Sequence, residues 1–278
     1  FDNICSWLGL TDNDDGPVDF FETGMHYYLK KDYQVALSWF LKASKFGYAD
    51  AQCYIGHIYN LGYGVDTDYA AAMMWYLKAA DQGHAEAQNY IGLMYKHGQG
   101  VVHDDVEALK WYSKSASNGS LTAQYNIAKC YYYGRGVPID YEEAARLFLI
   151  TAEKGYIKSL SSIGYCYLKG EGVVRDYAKA VYWLQKAAEK GTPGAQYHLA
   201  YCYYHGLGIP QDYLKAVHWF KQAIKQNHGA SEFYLGLCYY NGYGVEQDRA
   251  VATICFRKAV KQGYEKAGEF IDNSRLSK

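Results

Sequence analysis

Cysteine is the residue type whose spacing most suggests chemistry in this sequence, because regularly spaced thiols can bind metals or form disulfides. Four cysteines lie 36 residues apart: Cys130, Cys166, Cys202 and Cys238. The same register position holds Ile58 and Met94, and a position that accepts Ile, Met and Cys is typical of an apolar core. Neighbouring repeats would also hold the sulfurs beyond the Cα separation of ~7 Å that limits a disulfide. We therefore expect reduced core thiols and no metal site.

Unpaired core thiols also bear on the compartment, because reducing conditions keep cysteines free. They favour a cytoplasmic location. The chain begins at Phe1 rather than Met, so a secreted or periplasmic location stays open as the alternative.

Pairs of glycines separated by one residue recur six times and could be phosphate-binding loops. Such loops follow a strand and continue into Gly-Lys-Ser or Gly-Lys-Thr, whereas these pairs follow helical patterns and lack that continuation. The histidine pairs His198/His205 and His97/His103 have no cysteine or carboxylate at the spacing of a zinc site. No Ser-His-acid motif is present. The sequence predicts a protein that is not an enzyme and needs no cofactor.

The charge and hydropathy of the chain argue against two classes of partner. The formal net charge is −1, with 21% charged residues, whereas proteins that bind nucleic acids or anionic membranes present a basic face. No apolar run approaches the ~20 residues that span a bilayer. We therefore expect neither nucleic-acid binding nor membrane insertion.

The glycine pairs mark a repeat of 36 residues. Before each pair, small and apolar residues recur every four positions, which predicts a helix that we call helix A. Glycine ends helix A because it accepts positive φ, as at Gly64. Four residues later an aspartate such as Asp68 caps a second helix, helix B. In the copy with Asp104 and Glu107, the two side chains predict a reciprocal capping box.

Small and aromatic residues at fixed repeat positions predict how the helices pack. Gly56 on helix A and Ala72 on helix B recur as Gly or Ala in later copies, which lets the two helices approach closely. Trp75 and its equivalents are expected to fill the space between neighbouring hairpins. A single hairpin cannot bury this much apolar surface but stacked hairpins can, so the pattern predicts an all-α solenoid.

The repeat also predicts the organisation of the chain. Residues 1–17 carry no repeat and are expected to be an N-terminal extension, followed by one repeat domain over 18–278 with about seven helix pairs. Its predicted parts are a short hairpin like a tetratricopeptide unit at 18–47, full repeats at 48–83, 84–119, 120–155, 156–191, 192–227 and 228–263, and a capping helix with a tail at 264–278.

The repeat unit can be written A-x3-[I/L]-[G/A]-x2-Y-x2-G-x-G-V-x2-D-x3-A-x2-W-[Y/F]-x-K-A-A-x2-G. This pattern resembles the Sel-one-like repeat, a relative of the tetratricopeptide repeat. The match covers about residues 48–263 and, more loosely, 18–273. The resemblance implies a right-handed superhelix of antiparallel helix hairpins whose helices A line a concave face. It also implies a monomeric adaptor or scaffold that binds another protein or peptide. The alternative is a bacterial immunity protein that covers the active site of one toxin enzyme.

Helix A positions that vary between repeats are the candidates for binding. The positions of Cys53, His57 and Asn60 carry tyrosine in many later copies, and tyrosine offers a large contact area with a hydrogen-bonding tip. These side chains either project into a groove or pack against the next helix A as core. The predicted partner-binding residues are Tyr125, Lys129, Tyr132, Tyr165, Tyr197, Tyr201, Tyr204, Phe233 and Tyr240.

Overall fold

The computed structural model describes residues 16–273, and every regular element in this range is helical. Residues 1–15 of the predicted N-terminal extension and residues 274–278 of the predicted tail lie outside the described part. In chain order the elements are α1 (Pro17–Leu29), α2 (Tyr33–Ser44), α3 (Ala49–Leu61), α4 (Tyr69–Ala80), α5 (Ala85–His97), α6 (Asp105–Ser117), α7 (Leu121–Tyr133), α8 (Tyr141–Glu153), α9 (Ile157–Lys169), α10 (Tyr177–Glu189), α11 (Pro193–His205), α12 (Tyr213–Ile224), α13 (Gly229–Asn241), α14 (Arg249–Lys261), a 3-10 turn (Glu265–Ala267) and α15 (Gly268–Asn273).

Consecutive helices pair as hairpins, and the hairpins stack on their neighbours. Within each of the two compact units, helices A and B of one repeat, such as α3 and α4, make the most extensive contacts, and helix B then packs on helix A of the next repeat, as α4 does on α5. The fold is therefore the predicted all-α solenoid of antiparallel hairpins. Its helices belong to two compact units, one ending at Ile139 and one beginning at Asp140. Within the described residues no helix is long and apolar enough to cross a membrane.

The turn between helix A and helix B closes through backbone hydrogen bonds that the glycines permit. Gly62 and Gly64 have φ values of 67° and 68°, a region that side chains other than glycine rarely adopt. The N–H of Asp68 then donates to the carbonyl of Tyr59 at 3.0 Å, and its carboxylate accepts from the N–H of Ala71 at 2.9 Å. The end of helix A is thus tied directly to the start of helix B, and the predicted aspartate cap is confirmed.

Only one of the two hydrogen bonds of the predicted capping box forms at Asp104. Its carboxylate accepts from the N–H of Glu107 at 2.9 Å, but its own N–H donates to the carbonyl of Tyr95 at 3.0 Å. Because the turn already satisfies that N–H, the Glu107 carboxylate instead accepts from Lys110 at 2.8 Å. The box predicted from the local pattern therefore gives way to a contact between the two helices.

A deep core position of each hairpin is the residue after the repeated tryptophan position, which is an aromatic ring in all described hairpins but one. Tyr76 and Phe256 are 0% and 1% exposed, and a Cβ at Gly56 or Gly236 would come within 2.7 Å of these rings. Most of the repeated tryptophans of the described residues are only half-buried, although Trp39 is 2% exposed. Trp75 is half-buried, and Lys78 Nζ lies 4.1 Å from its ring centroid, because the tyrosine next to it takes the space against helix A.

The cysteines of the described residues are core thiols, as the repeat pattern predicts. Six of them are unpaired and buried, and burial raises the pKa of the Cys202 thiol to about 12. At neutral pH such a thiol is protonated and a poor nucleophile or metal ligand. Cys5 lies outside the described residues.

The glycine turns make a testable prediction through Gly172 and Gly191. Both have positive φ, 70° and 83°, but an added Cβ would collide with the carbonyl of Tyr141 at Gly172 and meet nothing within 4 Å at Gly191. Gly191→Ala is expected to lower the free energy of unfolding by about 1–2 kcal/mol through backbone strain alone. Gly172→Ala is expected to cost about 1–3 kcal/mol more through overpacking. Urea unfolding followed by circular dichroism measures both, and equal losses would contradict the steric role of Gly172.

Candidate functional site

In the first unit, three of the predicted binding residues lie along one stripe of α7. Tyr125, Lys129 and Tyr132 are all half-buried, and Lys129 Nζ lies 5.5 Å from the ring centroid of Tyr125. Tyr132 also packs edge-on against Tyr133, with 4.8 Å between ring centroids. The structure thus brings these three side chains to one face of a single helix.

In the second unit, the structure brings three predicted tyrosines around one histidine. Tyr165 on α9 and Tyr197 on α11 flank His198, with ring centroids 5.1 and 4.9 Å from the imidazole. Tyr201 follows Tyr197 by one helical turn, at 6.3 Å between ring centroids. Tyr204 lies one turn further along α11, where it packs edge-on against Tyr213 at 5.4 Å.

The last two predicted residues lie apart from this group. Phe233 is 7% exposed, and its ring centroid is 5.0 Å from that of Tyr264 and 5.4 Å from that of Phe270. The C-terminal turn and α15 cover it, so we remove Phe233 from the candidate surface. Tyr240 is half-buried, with the guanidinium carbon of Arg249 5.5 Å from its ring centroid.

A cleft of about 360 Å³ opens between α9, α11 and α13, and we call it the tyrosine cleft. Its volume falls at the lower end of the range that holds ligands or peptide side chains. Tyrosines provide most of its aromatic lining, together with His198, and two cations contribute from the end of α9 and the following turn. The polar lining residues are Lys169, Arg175, Tyr177, Tyr197, His198, Tyr201 and Tyr234.

Tyr234 forms one wall of the tyrosine cleft, although it is not among the binding residues predicted from the sequence. It stacks on buried Phe220, with ring centroids 5.5 Å apart and 16° between planes. Its edge meets Tyr201 at 5.5 Å and Tyr204 at 5.6 Å. The sequence does contain a signal that could have identified Tyr234. Its repeat position also varies between copies and holds His198 one copy earlier.

The cations of the tyrosine cleft were also missed, because they lie at the edge of the repeat pattern. Lys169 is the last residue of α9, and its Nζ lies 5.8 Å from the ring centroid of Tyr165. Arg175 belongs to the turn after α9, with its guanidinium carbon 5.3 Å from the ring centroid of Tyr177. Cation–π contacts of this kind hold the cationic stems against the rings.

Burial favours the neutral forms of His198 and Tyr234 near pH 7, so the charged side chains in the lining of the tyrosine cleft are Lys169 and Arg175. Burial lowers the pKa of His198 to about 4, with further lowering by His228 and Lys169. Burial raises the pKa of Tyr234 to about 12, so the phenol keeps its proton. No carboxylate lines the cleft. The cleft is therefore an aromatic surface whose charged lining residues are both cations.

No arrangement for metal chemistry accompanies this cleft. Across residues 16–273 no group of three or more His, Cys, Asp and Glu side chains is placed to hold a metal ion. The chemistry that the described residues offer at the cleft is binding by rings, hydroxyls and two cations.

Stacked helix hairpins of this kind define a helical-repeat solenoid protein. The sequence model of the Sel1 repeat matches seven stretches, at residues 16–47, 49–84, 85–120, 121–156, 158–192, 193–228 and 229–264. The chain therefore belongs to the Sel1 repeat family. The match includes the short first hairpin at 16–47.

Two solved Sel1-type structures are similar over most of the chain. The protein c5321, a protective antigen of uropathogenic Escherichia coli, superposes with a TM-score of 0.81 at 34% identity over 92% of this chain. A Sel1 repeat protein from Oxalobacter formigenes gives a TM-score of 0.78 at 34% identity, covering 87% of this chain and 96% of its own. The present chain spans 56% of the length of c5321.

More distant structures share the fold alone. Yeast Tom70 superposes with a TM-score of 0.52 at 15% identity, covering 95% of this chain and 56% of its own. Among proteins with curated functions, none matches the chain. Helical-repeat solenoids of this family are typically protein-interaction scaffolds, and the similarity names no partner.

Burial of His198 predicts how stability depends on pH. Its folded pKa of about 4 lies below the ordinary value of 6.5, so the unfolded chain takes up the proton first as the pH falls. The contribution of His198 to the free energy of unfolding is fully present above pH 6.5. It declines as the pH falls from 6.5 towards 4 and no longer changes below pH 4. In His198→Asn, which copies Asn126 of an earlier repeat, the acid-dependent loss is expected to shrink by up to about 3 kcal/mol.

Two measurements check this expectation. An NMR titration of the His198 ring should give a midpoint near pH 4, and urea unfolding at pH 7 and pH 4 should separate wild type from His198→Asn. A midpoint near 6.5, or the same loss of stability in both proteins, would show that the imidazole is solvated rather than enclosed by Tyr165 and Tyr197.

Proposed function

We propose that this protein is a non-catalytic adaptor that binds a segment of a partner protein in the tyrosine cleft. The observation that carries the proposal is the combination of four tyrosines, a neutral histidine and two cations around one cleft without a carboxylate. Tyrosine and arginine are, with tryptophan, the residues enriched at the energetic centres of protein interfaces. Membership of a family of helical-repeat scaffolds supports the same conclusion.

The lining also indicates what kind of segment fits. Lys169 and Arg175 favour a carboxylate, from Asp, Glu or a chain end, while the rings of Tyr197 and Tyr201 favour a neighbouring aromatic or apolar side chain. Tyr165 extends this surface through its contact with His198. Tyr204 supports the wall through Tyr234. Tyr240 on α13 is proposed as a further contact of the same partner, and Tyr125, Lys129 and Tyr132 on α7 are proposed as a separate contact surface of the first unit.

An immunity protein that covers a toxin enzyme would use such a surface as well. Nothing in the contacts of the described residues favours that narrower role over a general adaptor. We therefore propose the adaptor function and treat the immunity role as one case of it.

Affinity capture with a matched pair of variants tests the proposal. Lys169→Gln/Arg175→Gln removes two cations from the tyrosine cleft, whereas Lys158→Gln/Lys221→Gln removes two exposed cations elsewhere in the same unit. Proteins that wild type retains from a lysate of the source cell are expected to fall about tenfold or more with the cleft variant. The control variant should retain them.

A second experiment tests the aromatic side chains of the tyrosine cleft and includes a control for unfolding. Tyr201→Ala removes a half-buried ring from the tyrosine cleft, and circular dichroism reports whether the helices persist. Loss of the same partners with an intact fold supports the proposal. Equal capture by wild type, the cation variant and Tyr201→Ala would overturn the cleft as the binding surface.

A further inference from the structure

A second pocket lies at the equivalent repeat position of the first unit, and its charge is opposite to that of the tyrosine cleft. It occupies about 140 Å³ between α1, α3 and α5, and its six lining residues are Tyr28, Cys53, Tyr54, His57, Glu86 and Tyr90. Four full repeats, or 144 residues, separate Tyr54, His57 and Tyr90 from His198, Tyr201 and Tyr234 of the tyrosine cleft. The repeat therefore builds the same type of depression twice with different contents. We call the first-unit pocket the aromatic cage.

Three tyrosine rings, one each from α1, α3 and α5, line the aromatic cage. Tyr28 meets Tyr54 edge to face, with ring centroids 5.2 Å apart and 79° between planes. Tyr90 closes the other side, 5.2 Å from the imidazole of His57, and stacks on buried Tyr76 at 5.1 Å. These supporting contacts hold the rings in place before any ligand arrives, which reduces the entropy lost on binding.

The charge of the aromatic cage comes from Glu86. The hydroxyl of Tyr90 donates to its carboxylate at 3.2 Å, which fixes the anion at the edge of the pocket. None of the six lining residues is Lys or Arg, and burial lowers the pKa of His57, which favours a neutral imidazole. Burial, followed by the neighbouring tyrosines and last by Glu86, raises the pKa of Tyr28 to about 12, so this ring remains a neutral phenol. In the tyrosine cleft, Ala230 stands where the aromatic cage has Glu86.

We infer that the aromatic cage binds a cationic alkylammonium group. Aromatic faces attract cations through their negative quadrupole, and a carboxylate beside them neutralises the charge of the guest. The volume suits a group of a few heavy atoms and is too small for a drug-sized ligand, whose pockets occupy about 300 Å³ or more. A metal ion fits poorly, because Glu86 is the one carboxylate in the lining and hard cations require several oxygen ligands. The guest is a lysine side chain, methylated or free, or a small quaternary ammonium compound.

Isothermal titration calorimetry of the full chain with four probes tests this inference. The probes are choline, its neutral isostere 3,3-dimethylbutanol, and the N-acetyl amides of trimethyllysine and lysine, all at constant ionic strength. Binding of choline and trimethyllysine identifies a quaternary guest, and binding of the lysine amide alone identifies a primary ammonium. Binding of the neutral isostere as tight as that of choline, or no binding of any cationic probe, would overturn the inference.

Matched variants locate the binding. Glu86→Gln keeps the shape of the exposed rim and removes its charge, and Tyr54→Leu removes one ring; each is expected to weaken binding of the cationic probe about 3- to 30-fold. Asp66→Asn, an exposed charge change outside the cage, should leave binding unchanged. Equal affinity of Glu86→Gln and wild type would place the binding elsewhere and refute the site. Because Glu86 is exposed, this outcome does not depend on whether Tyr54→Leu folds.

Discussion

The close approach of helix A to helix B within each hairpin governs the rest of the structure. In several hairpins a glycine on helix A lies directly against a buried ring of helix B, as Gly56 does against Tyr76 and Gly236 against Phe256, and alanine takes the glycine position in two other copies. A larger side chain at the glycine would push the helices apart and open a void around the ring. Because this contact fixes the rotation of helix A, it also decides which of its remaining side chains point away from the hairpin.

Both pockets arise from that rotation. With one stripe of helix A committed to the hairpin, the neighbouring positions meet the equivalent positions of the next helix A and leave a depression between them. Tyr54, His57 and Tyr90 occupy it in the first unit, and His198, Tyr201 and Tyr234 in the second. Since a small residue, Gly or Ala, holds this helix A position in every full copy, the lining residues can change without disturbing the close approach of the two helices. Glu86 makes one pocket negative, and Lys169 with Arg175 makes the other positive.

In repeat proteins, the residues that maintain the fold are commonly different from those that line a binding site. Each repeat contacts only its neighbours, and stability is roughly the sum of the contributions of the repeats and their interfaces. The conserved pattern of the repeat includes the glycine pair and the aspartate cap, which tie helix A to helix B through the bond from Asp68 to Tyr59. These residues would be the same in an adaptor for any partner. Binding specificity must therefore come from the positions at which the copies differ.

The sequence by itself determined the class of fold. The 36-residue period, the glycines that permit positive φ and the aspartate caps are local signals, and they recur in every full repeat. It also indicated that variable helix A positions matter, and Tyr197 and Tyr201 do line a cleft. Phe233 holds the same repeat position as Tyr197, yet the chain end packs over it. Arg175 reaches the tyrosine cleft from a turn outside the helical pattern. Only the tertiary structure decided these points, because burial and charge at a site depend on what neighbouring helices and turns place against it.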